Sequence, residues 1–333
     1  MAAKTILLLS DGRPGHFRQS EAIVLALSRR MQTKVERRDL IKPRIVPRRL
    51  ARYAALWLPP RLVLAWLYGL TAIPKADVIV SAGGNTLAAN IALSQLTGAP
   101  NIFTGTPRHV GGAKFALVLT PYKSQVNSPN TAYALKPCAL DPDAFAAPKR
   151  WPATPFRIAV FIGGPIPSAD FQAADWNALG ELMRTMAREF DVRFVLVTSR
   201  RTPDAFYAAA GPILSRKDII DRFIDHRQAG TGSIAEGYAA DAIWATSDSM
   251  SMITEGVAAR RPVIVLAPAI TKPFRDNEAV DSLAADNRLA VLAVRDATPE
   301  QVAAKLATLE PMKENHLDRL ADIVTAAINN RIK

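Results

Sequence analysis

ATSDSMSMITEGVAARRPVIVLAP, residues 245–268, decides the fold. An apolar run over residues 241–245 ends in a Thr-Ser-Asp-Ser cluster. A helical segment with Glu255 and Gly256 inside it follows, and Arg261-Pro262 leads into a second apolar run, 263–266. Strand, polar turn, helix, strand is one α/β unit. Ser and Asp at 247–249 are residues that cap helices. The first N–H groups of a helix lack intrahelical partners, and the macrodipole adds positive potential, so this point suits an anion. Glu255, about one turn in, offers a carboxylate to the vicinal hydroxyls of a sugar. Anion site and carboxylate together suggest a nucleotide-diphosphate pocket; the same segment also reads as a well-capped helix of any α/β protein.

Further units flank this one. Residues 5–9 form a buried strand that runs into Ser10-Asp11-Gly12-Arg13-Pro14-Gly15-His16 and a helix over 19–30. Strand patterns recur at 35–40, 76–80, 101–104 and 115–119. The run 76–80 is followed by Ser81-Ala82-Gly83-Gly84-Asn85 and a helix to about Leu96. Residues 140–155, LDPDAFAAPKRWPATP, read as an interdomain linker. A second series begins with the strand 156–162 and Gly163-Gly164-Pro165. It continues with an amphipathic helix over 176–189, the strand 193–197 with Thr198-Ser199-Arg200-Arg201-Thr202-Pro203, short strands near 222–225 and 241–245, and a last strand at 289–294. Helices close the chain after Pro299, the last over about 315–329. Alternating strands and helices imply parallel sheets. The expected fold class is α/β, two Rossmann-like doubly wound domains facing across a cleft. An N-terminal domain spans 1–147, a C-terminal domain 148–310, and a C-terminal helix, 311–333, packs back on the first. Ligands of such sheets bind outside the carboxyl ends of the strands.

At 333 residues the chain accommodates two domains with ample cores. Its single cysteine, Cys138, excludes an internal disulfide framework and a Cys-rich zinc site and points to a reducing compartment. The N-terminus has no secretory-signal pattern, because the apolar run 6–9 is too short for an h-region. Charge is uneven: residues 1–150 hold 21 Lys and Arg against 7 Asp and Glu, a net +14, whereas residues 151–333 hold 21 against 23, a net −2. An anionic partner of the first half is implied: nucleic acid, acidic lipid or a phosphorylated substrate.

Several loop residues carry candidate chemistry. His16, in a glycine turn at a helix mouth, reads as a general base on an acceptor hydroxyl, a substrate hydrogen-bonder or a loop cap. No partner carboxylate for it can be named from spacing. Asp11, Gly12, Gly15, Gln19, Gly83, Gly84 and Asn85 share this acceptor side, although glycine turns after strands also serve geometry alone. His109 reads as structural, and His226 and His316 as structural or surface residues. In the second half Gly163 and Gly164 admit a diphosphate close to the backbone, and the Arg200-Arg201 pair offers guanidinium forks to phosphate. HExxH, paired cysteines, a P-loop lysine, GxGxxG and GxSxG are all lacking in the sequence. A metal site, a nucleotide-cofactor fingerprint and a serine-nucleophile elbow therefore go unsignalled.

From Lys34 to Arg61 the sequence carries nine Lys and Arg against two acids, then runs into LWLPPRLVLAWLY, 56–68. Basic residues beside Trp and Leu suggest a membrane-interface element built from Arg48, Arg49, Arg52, Trp57, Arg61 and Trp66. Pro59, Pro60 and Arg61 interrupt the run, which argues against a spanning helix. A buried helical pair is the other reading of this stretch. Nucleic acid is not expected, since no recognisable module is present.

SDGRPGHxxQ, the GGN and GGP turns, TSRRTP and DSxSMxxEG, spread over about residues 10–268, together resemble the mitochondrial-fission (elongated-mitochondria) family of glycosyltransferase-like proteins. That family is similar in turn to GT-B glycosyltransferases such as the lipid-II-forming N-acetylglucosaminyltransferase. The resemblance implies a GT-B fold with donor on the C-terminal and acceptor on the N-terminal domain. It further implies Ser249, Met250 and Ser251 at the diphosphate, Glu255 at the ribose, and Gly163 and Gly164 under the diphosphate with Arg200 nearby. His16 falls where lipid-linked GT-B enzymes carry a glycine-loop histidine, here in DGRPGH instead of a run of glycines. Plant members of the family are linked to organelle fission.

The leading expectation is a metal-independent glycosyltransferase. It would move a sugar from a nucleoside diphosphate to an acceptor, with a membrane lipid-linked saccharide or lipopolysaccharide core as candidate. No cofactor is required, and the expected location is cytoplasmic, peripheral at the inner membrane face. Two alternatives are a nucleotide-sugar epimerase on the same fold and a non-enzymatic membrane-surface adaptor of fission-protein type.

Overall fold

The computed structural model describes residues 3–40, 53, 55–273 and 276–332. The chain divides into two compact units, Met1–Leu140 with Glu314–Lys333, and Asp141–Lys313. The strands of unit 1 are β1 (Lys4–Ser10), β2 (Thr33–Asp39), β3 (Val78–Ala82), β4 (Asn101–Thr104), β5 (Leu117–Thr120) and β6 (Thr131–Tyr133). Those of unit 2 are β7 (Phe156–Phe161), β8 (Val192–Val197), β9 (Ile220–Ile224), β10 (Ala242–Thr246), β11 (Val263–Ala267) and β12 (Leu289–Ala293). The helices in chain order are α1 (Pro14–Ser28), α2 (Pro60–Tyr68), α3 (Leu87–Thr97), α4 (Ala173–Phe190) and α5 (Asp204–Leu214). They continue with α6 (Ile234–Tyr238), α7 (Met250–Ala258), α8 (Asp276–Ala285), α9 (Pro299–Thr308) and α10 (His316–Ile332).

Unit 1 is one parallel sheet in the order β2-β1-β3-β4-β5-β6. Its central strands are continuous apolar runs because both faces are covered. Leu7, Leu9 and Ile79 point into a core built with α2 and α3. Ile6, Val78 and Val80, of opposite parity, point into a core built with α1 and α10. α10 joins that core through Leu317, Leu320, Ala321, Val324 and Ile328, a stripe at helical spacing. Arg29 of α1 reaches Asp318 of α10 at 3.0 Å, and Arg30 reaches Asp318 and Asp322 at 3.2 and 3.0 Å.

Unit 2 is a second parallel sheet, β12-β11-β10-β7-β8-β9. Its strand order is that of a doubly wound nucleotide-binding sheet. One face packs Ile158, Val160, Phe194, Trp244 and Ile264 against α4, α5 and α9. The stretch 140–155, expected as a linker, is packed onto this unit after Leu140. Asp241 accepts the N–H of Lys149 at 2.8 Å and of Arg157 at 2.9 Å. Arg261, only 2% exposed, donates to the carbonyls of Ala146 at 2.7 Å and Tyr238 at 2.9 Å.

In each sheet the strand order reverses at one point, between β1 and β3 in unit 1 and between β7 and β10 in unit 2. The loops leaving those four strands carry Asp11–His16, Gly83–Asn85, Gly163–Gly164 and Ser247–Ser249. Such switch points are where open α/β sheets receive ligands.

Candidate functional site

In unit 1 the chain leaves β1 through Asp11 and Gly12, whose φ of +74° makes the turn that a side chain would resist. Asp11 is folded back on its own loop and accepts the Arg13 N–H at 3.2 Å. Its Oδ2 lies 3.0 Å from His16 Nδ1 and its Oδ1 lies 3.2 Å from the same nitrogen. The partner carboxylate that spacing could not name is therefore Asp11, five residues upstream. Asn85 Nδ2 donates to the same Oδ2 at 2.9 Å, from the loop after β3. The Asn85 carbonyl in turn accepts from the Tyr68 hydroxyl at 2.7 Å, and burial pushes that hydroxyl above its ordinary pKa, so it stays a donor. Gly83, at φ +83°, lets the backbone pass under His16, because a Cβ there would collide with the imidazole ring. In a neutral ring, an Nδ1–H donated to Asp11 leaves the lone pair on His16 Nε2.

The remaining acceptor-side residues are less engaged. Gln19 Nε2 donates back to the Gly15 carbonyl at 3.0 Å, one turn up its own helix. A Cβ added at Gly12, Gly15 or Gly84 would meet nothing within 4 Å. Space therefore demands glycine only at Gly83, and conformation at Gly83 and Gly12. His316 is buried and bonded to the Leu140 carbonyl at 2.7 Å, and His109 is exposed.

In unit 2 three loops are tied together. Gly163 N–H donates to Thr246 Oγ1 at 2.8 Å, and Gly164 N–H donates to the Asp248 carboxylate. A Cβ at Gly163 would strike Asp248, and one at Gly164 would strike the Arg201 carbonyl. Close approach, with φ playing no part, is what requires both glycines. The loop after β8 wraps the turn: Ser199 Oγ donates to the Gly163 carbonyl at 3.1 Å and Thr202 Oγ1 to the Ile162 carbonyl at 2.9 Å. Arg201 donates to the Gly164 carbonyl at 3.2 Å and lies 3.7 Å from Asp248 Oδ2. Arg200, its neighbour, is exposed and makes no hydrogen bond or ion pair among the described residues.

The start of α7 departs from the simple cap that its sequence suggests. Ser249 is the N-cap residue, but its side chain makes no cap hydrogen bond. Asp248 is turned away to Gly164, and its side chain is 1% exposed. The first bond of the helical ladder runs from Ile253 N–H to the Ser249 carbonyl at 3.1 Å. The amides of Met250, Ser251 and Met252 lie ahead of it, where anions are favoured. Asp248 Oδ1 and Ser247 Oγ are buried with no hydrogen-bond partner among the described residues. Burial pushes the Asp248 carboxyl above the ordinary aspartate range, against the pull of Thr246, the Gly164 amide and Arg201. Farther along α7, the Glu255 carboxylate accepts a hydrogen bond from the Tyr238 hydroxyl of α6. The Tyr238 ring stacks on Phe161 with centroids 4.9 Å apart, which anchors Glu255 to the sheet. Asp248, Arg201 and Tyr238 are the residues of this cluster that sequence reading did not single out as its polar core.

The basic and aromatic stretch is only partly described. Arg48, Arg49 and Arg52 lie outside the described residues. α2 buries Val63, Leu64 and Leu67 and leaves Leu62 and Trp66 outward, with Trp66 58% exposed. Trp57, at the end of the helical residues 55–57 that precede it, is 82% exposed, and Arg61 is exposed between them. Among the described residues no helix is long and apolar enough to cross a membrane.

Comparison with solved structures reproduces this architecture. A Listeria monocytogenes protein assigned as a UDP-N-acetylglucosamine 2-epimerase is 13% identical with a TM-score of 0.61, over 99% of this chain and 97% of that one. The UDP-GlcNAc 2-epimerase of Neisseria meningitidis is 12% identical with a TM-score of 0.55, over 98% and 100%. MurG of Acinetobacter baumannii is 13% identical with a TM-score of 0.51, over 98% and 95%. At these identities the likeness shows the fold, two Rossmann-like domains of the GT-B type. No curated protein sequence matches the chain. The sequence does match, over residues 14–328 and so over every strand but β1, the family described as Mitochondrial fission ELM1, and the chain is a member of that family.

Proposed function

We propose that the protein is a metal-independent glycosyltransferase in which unit 2 binds a nucleoside-diphosphate sugar and unit 1 supplies the base for the acceptor hydroxyl. The diphosphate sits at the start of α7, at Ser249, Met250 and Ser251, beside the Gly163-Gly164 turn. Arg201, with Arg200 next to it, adds positive charge that offsets what develops on the departing diphosphate. Glu255 accepts hydrogen bonds from the ribose hydroxyls. His16 Nε2 takes the acceptor proton as the acceptor oxygen bonds the anomeric carbon and the bond from that carbon to the diphosphate oxygen breaks. Asp11 fixes the tautomer and stabilises the imidazolium that forms.

The observation that carries this reading is the Asp11–His16 contact, held by Asn85 at the switch point of the unit-1 sheet. A histidine that merely capped its loop would not need a buried carboxylate fixing Nδ1. Exposed Trp57 and Trp66 beside Arg61, in the half of the chain with net +14, support peripheral attachment to an anionic membrane and a lipid-linked or lipopolysaccharide acceptor.

The test is transfer of label from nucleotide sugars to a membrane-lipid extract, with and without EDTA, by the wild-type protein and by His16→Ala. Transfer that survives EDTA, and that His16→Ala abolishes while donor affinity is unchanged, is the expected result. Turnover of the donor without any acceptor would replace this reading with epimerisation. Vesicle binding by a protein that binds no nucleotide would replace it with a membrane-surface adaptor.

A further inference from the structure

Asp248 is the least comfortable charged group of the unit-2 cluster. Its side chain is 1% exposed, Oδ2 accepts the Gly164 N–H, and Oδ1 has no partner among the described residues. A buried carboxylate with one oxygen unsatisfied is costly, because that oxygen forfeits its hydration and gains nothing. The compensation is thin. Arg201, from the loop after β8, is the charged group acting on it; it lies 3.7 Å away and its side chain is 47% exposed, so solvent weakens the attraction. Thr246 from β10, the Gly164 amide from the β7 loop and its own backbone amide are the other groups that act on it, and none is charged.

The placement sharpens the problem. Asp248 immediately precedes the N-cap of α7, the point that the proposed function gives to the diphosphate. A diphosphate diester carries two negative charges, so an ionised Asp248 beside it adds a third, on a side chain only 1% exposed that water screens little. Oδ1 offers the way out: a proton there removes the repulsion, leaves Oδ2 accepting from Gly164, and converts an unpartnered acceptor into a donor.

We propose that Asp248 takes up a proton when a nucleoside-diphosphate sugar binds, and that its neutral carboxyl is the form present in the donor complex. This rests on the donor-site reading of unit 2. It makes Asp248 a positioning residue that couples donor affinity to pH. Burial already biases the group toward protonation, and a bound diphosphate biases it further. Affinity is therefore greatest at low pH and falls, by up to about tenfold per pH unit, as pH rises through the window between the group's values without and with donor.

The experiment is calorimetry of donor binding in two buffers of different ionisation enthalpy, from pH 5.5 to pH 8.5. The probe is whichever of UDP-N-acetylglucosamine, GDP-mannose and ADP-glucose raises the melting temperature most. None of these diphosphate diesters changes its own charge over that range. The wild-type protein is expected to take up a proton with the donor. Asp248→Asn, folded as judged by its melting curve, is expected to take up none and to bind at pH 8 at least as tightly as wild type. Arg201→Gln removes the attracting cation, so its uptake window should move to higher pH even though its affinity is lower overall. Donor binding by wild type without proton uptake, uptake that persists in Asp248→Asn, or an unmoved window in Arg201→Gln overturns the proposal and leaves the donor site standing. Binding of no donor at all by wild type overturns the donor site and the proposal together.

Discussion

His16 Nδ1 lies 3.0 Å from Asp11 Oδ2, and the Asn85 amide donates to that same oxygen at 2.9 Å. A carboxylate fixed in this way decides which ring nitrogen carries the hydrogen. Asp11→Asn presents an amide that can donate to Nδ1 and so favours the wrong tautomer. General-base catalysis contributes roughly 10²–10⁴ in rate, so Asp11→Asn is expected to lower kcat by at least about 10²-fold with donor affinity unchanged. A kcat within about threefold of wild type would remove His16 from the base role.

The two glycine turns make opposite predictions for the same substitution. In Gly164→Ala the new methyl meets the Arg201 carbonyl, whereas in Gly84→Ala it meets nothing within 4 Å. Overpacking against backbone costs about 1–3 kcal/mol. Chemical denaturation should therefore show Gly164→Ala destabilised by about that amount and Gly84→Ala within about 0.5 kcal/mol of wild type. Equal effects would mean that close approach does not explain the Gly163-Gly164 turn.

The last helix is held by its apolar stripe more than by its ion pairs. Leu320 is buried between α10 and α1, and Leu320→Ala is expected to cost about 2–5 kcal/mol. Arg29 and Asp318 have side chains 26% and 35% exposed, so Arg29→Ala is expected to cost no more than about 1 kcal/mol. Urea unfolding of the two variants measures both, and the reverse ranking would contradict the assignment.

Attachment to lipid predicts a composition dependence. Cosedimentation with vesicles containing phosphatidylglycerol should exceed that with pure phosphatidylcholine and should weaken with salt. Replacing both Trp57 and Trp66 by Ala should reduce it by about tenfold or more, given the apolar area each ring exposes. Binding indifferent to both tryptophans would leave this surface without the proposed role.

The fold was legible because its signals are local. Central strands such as Ile6–Leu9 and Val263–Leu266 are buried on both faces and stand out as short apolar runs between turn residues. Two elements that the sequence does not announce are short. β6 is only three residues, Thr131–Tyr133, at a sheet edge, and α6 is five, Ile234–Tyr238. The site divides in the same way. The glycine turns announce themselves, but their partners come from far along the chain. Asp248 reads as an ordinary cap beside Ser249, yet it bonds Gly164, 84 residues away. Spacing cannot choose between Arg200 and Arg201, because only the path of the loop decides which guanidinium meets the glycine turn. Asp11 is close in sequence to His16, but the positive-φ turn at Gly12 that folds it back follows no periodicity.

The central claim, that unit 2 holds a nucleotide sugar, is tested most directly by thermal stabilisation with UDP, GDP, CMP, ADP, dTDP and their sugars, with and without Mg²⁺, in wild type and Glu255→Ala. A ligand at 100 times its dissociation constant adds about 2.7 kcal/mol of stability. Loss of a charged hydrogen bond is worth about 1.5–3 kcal/mol, or a roughly 10–100-fold weaker dissociation constant. The account predicts a metal-independent shift selective for one base, cut by about half or more in Glu255→Ala. No shift with any nucleotide in the folded protein, or a shift that Glu255→Ala leaves intact, would contradict it.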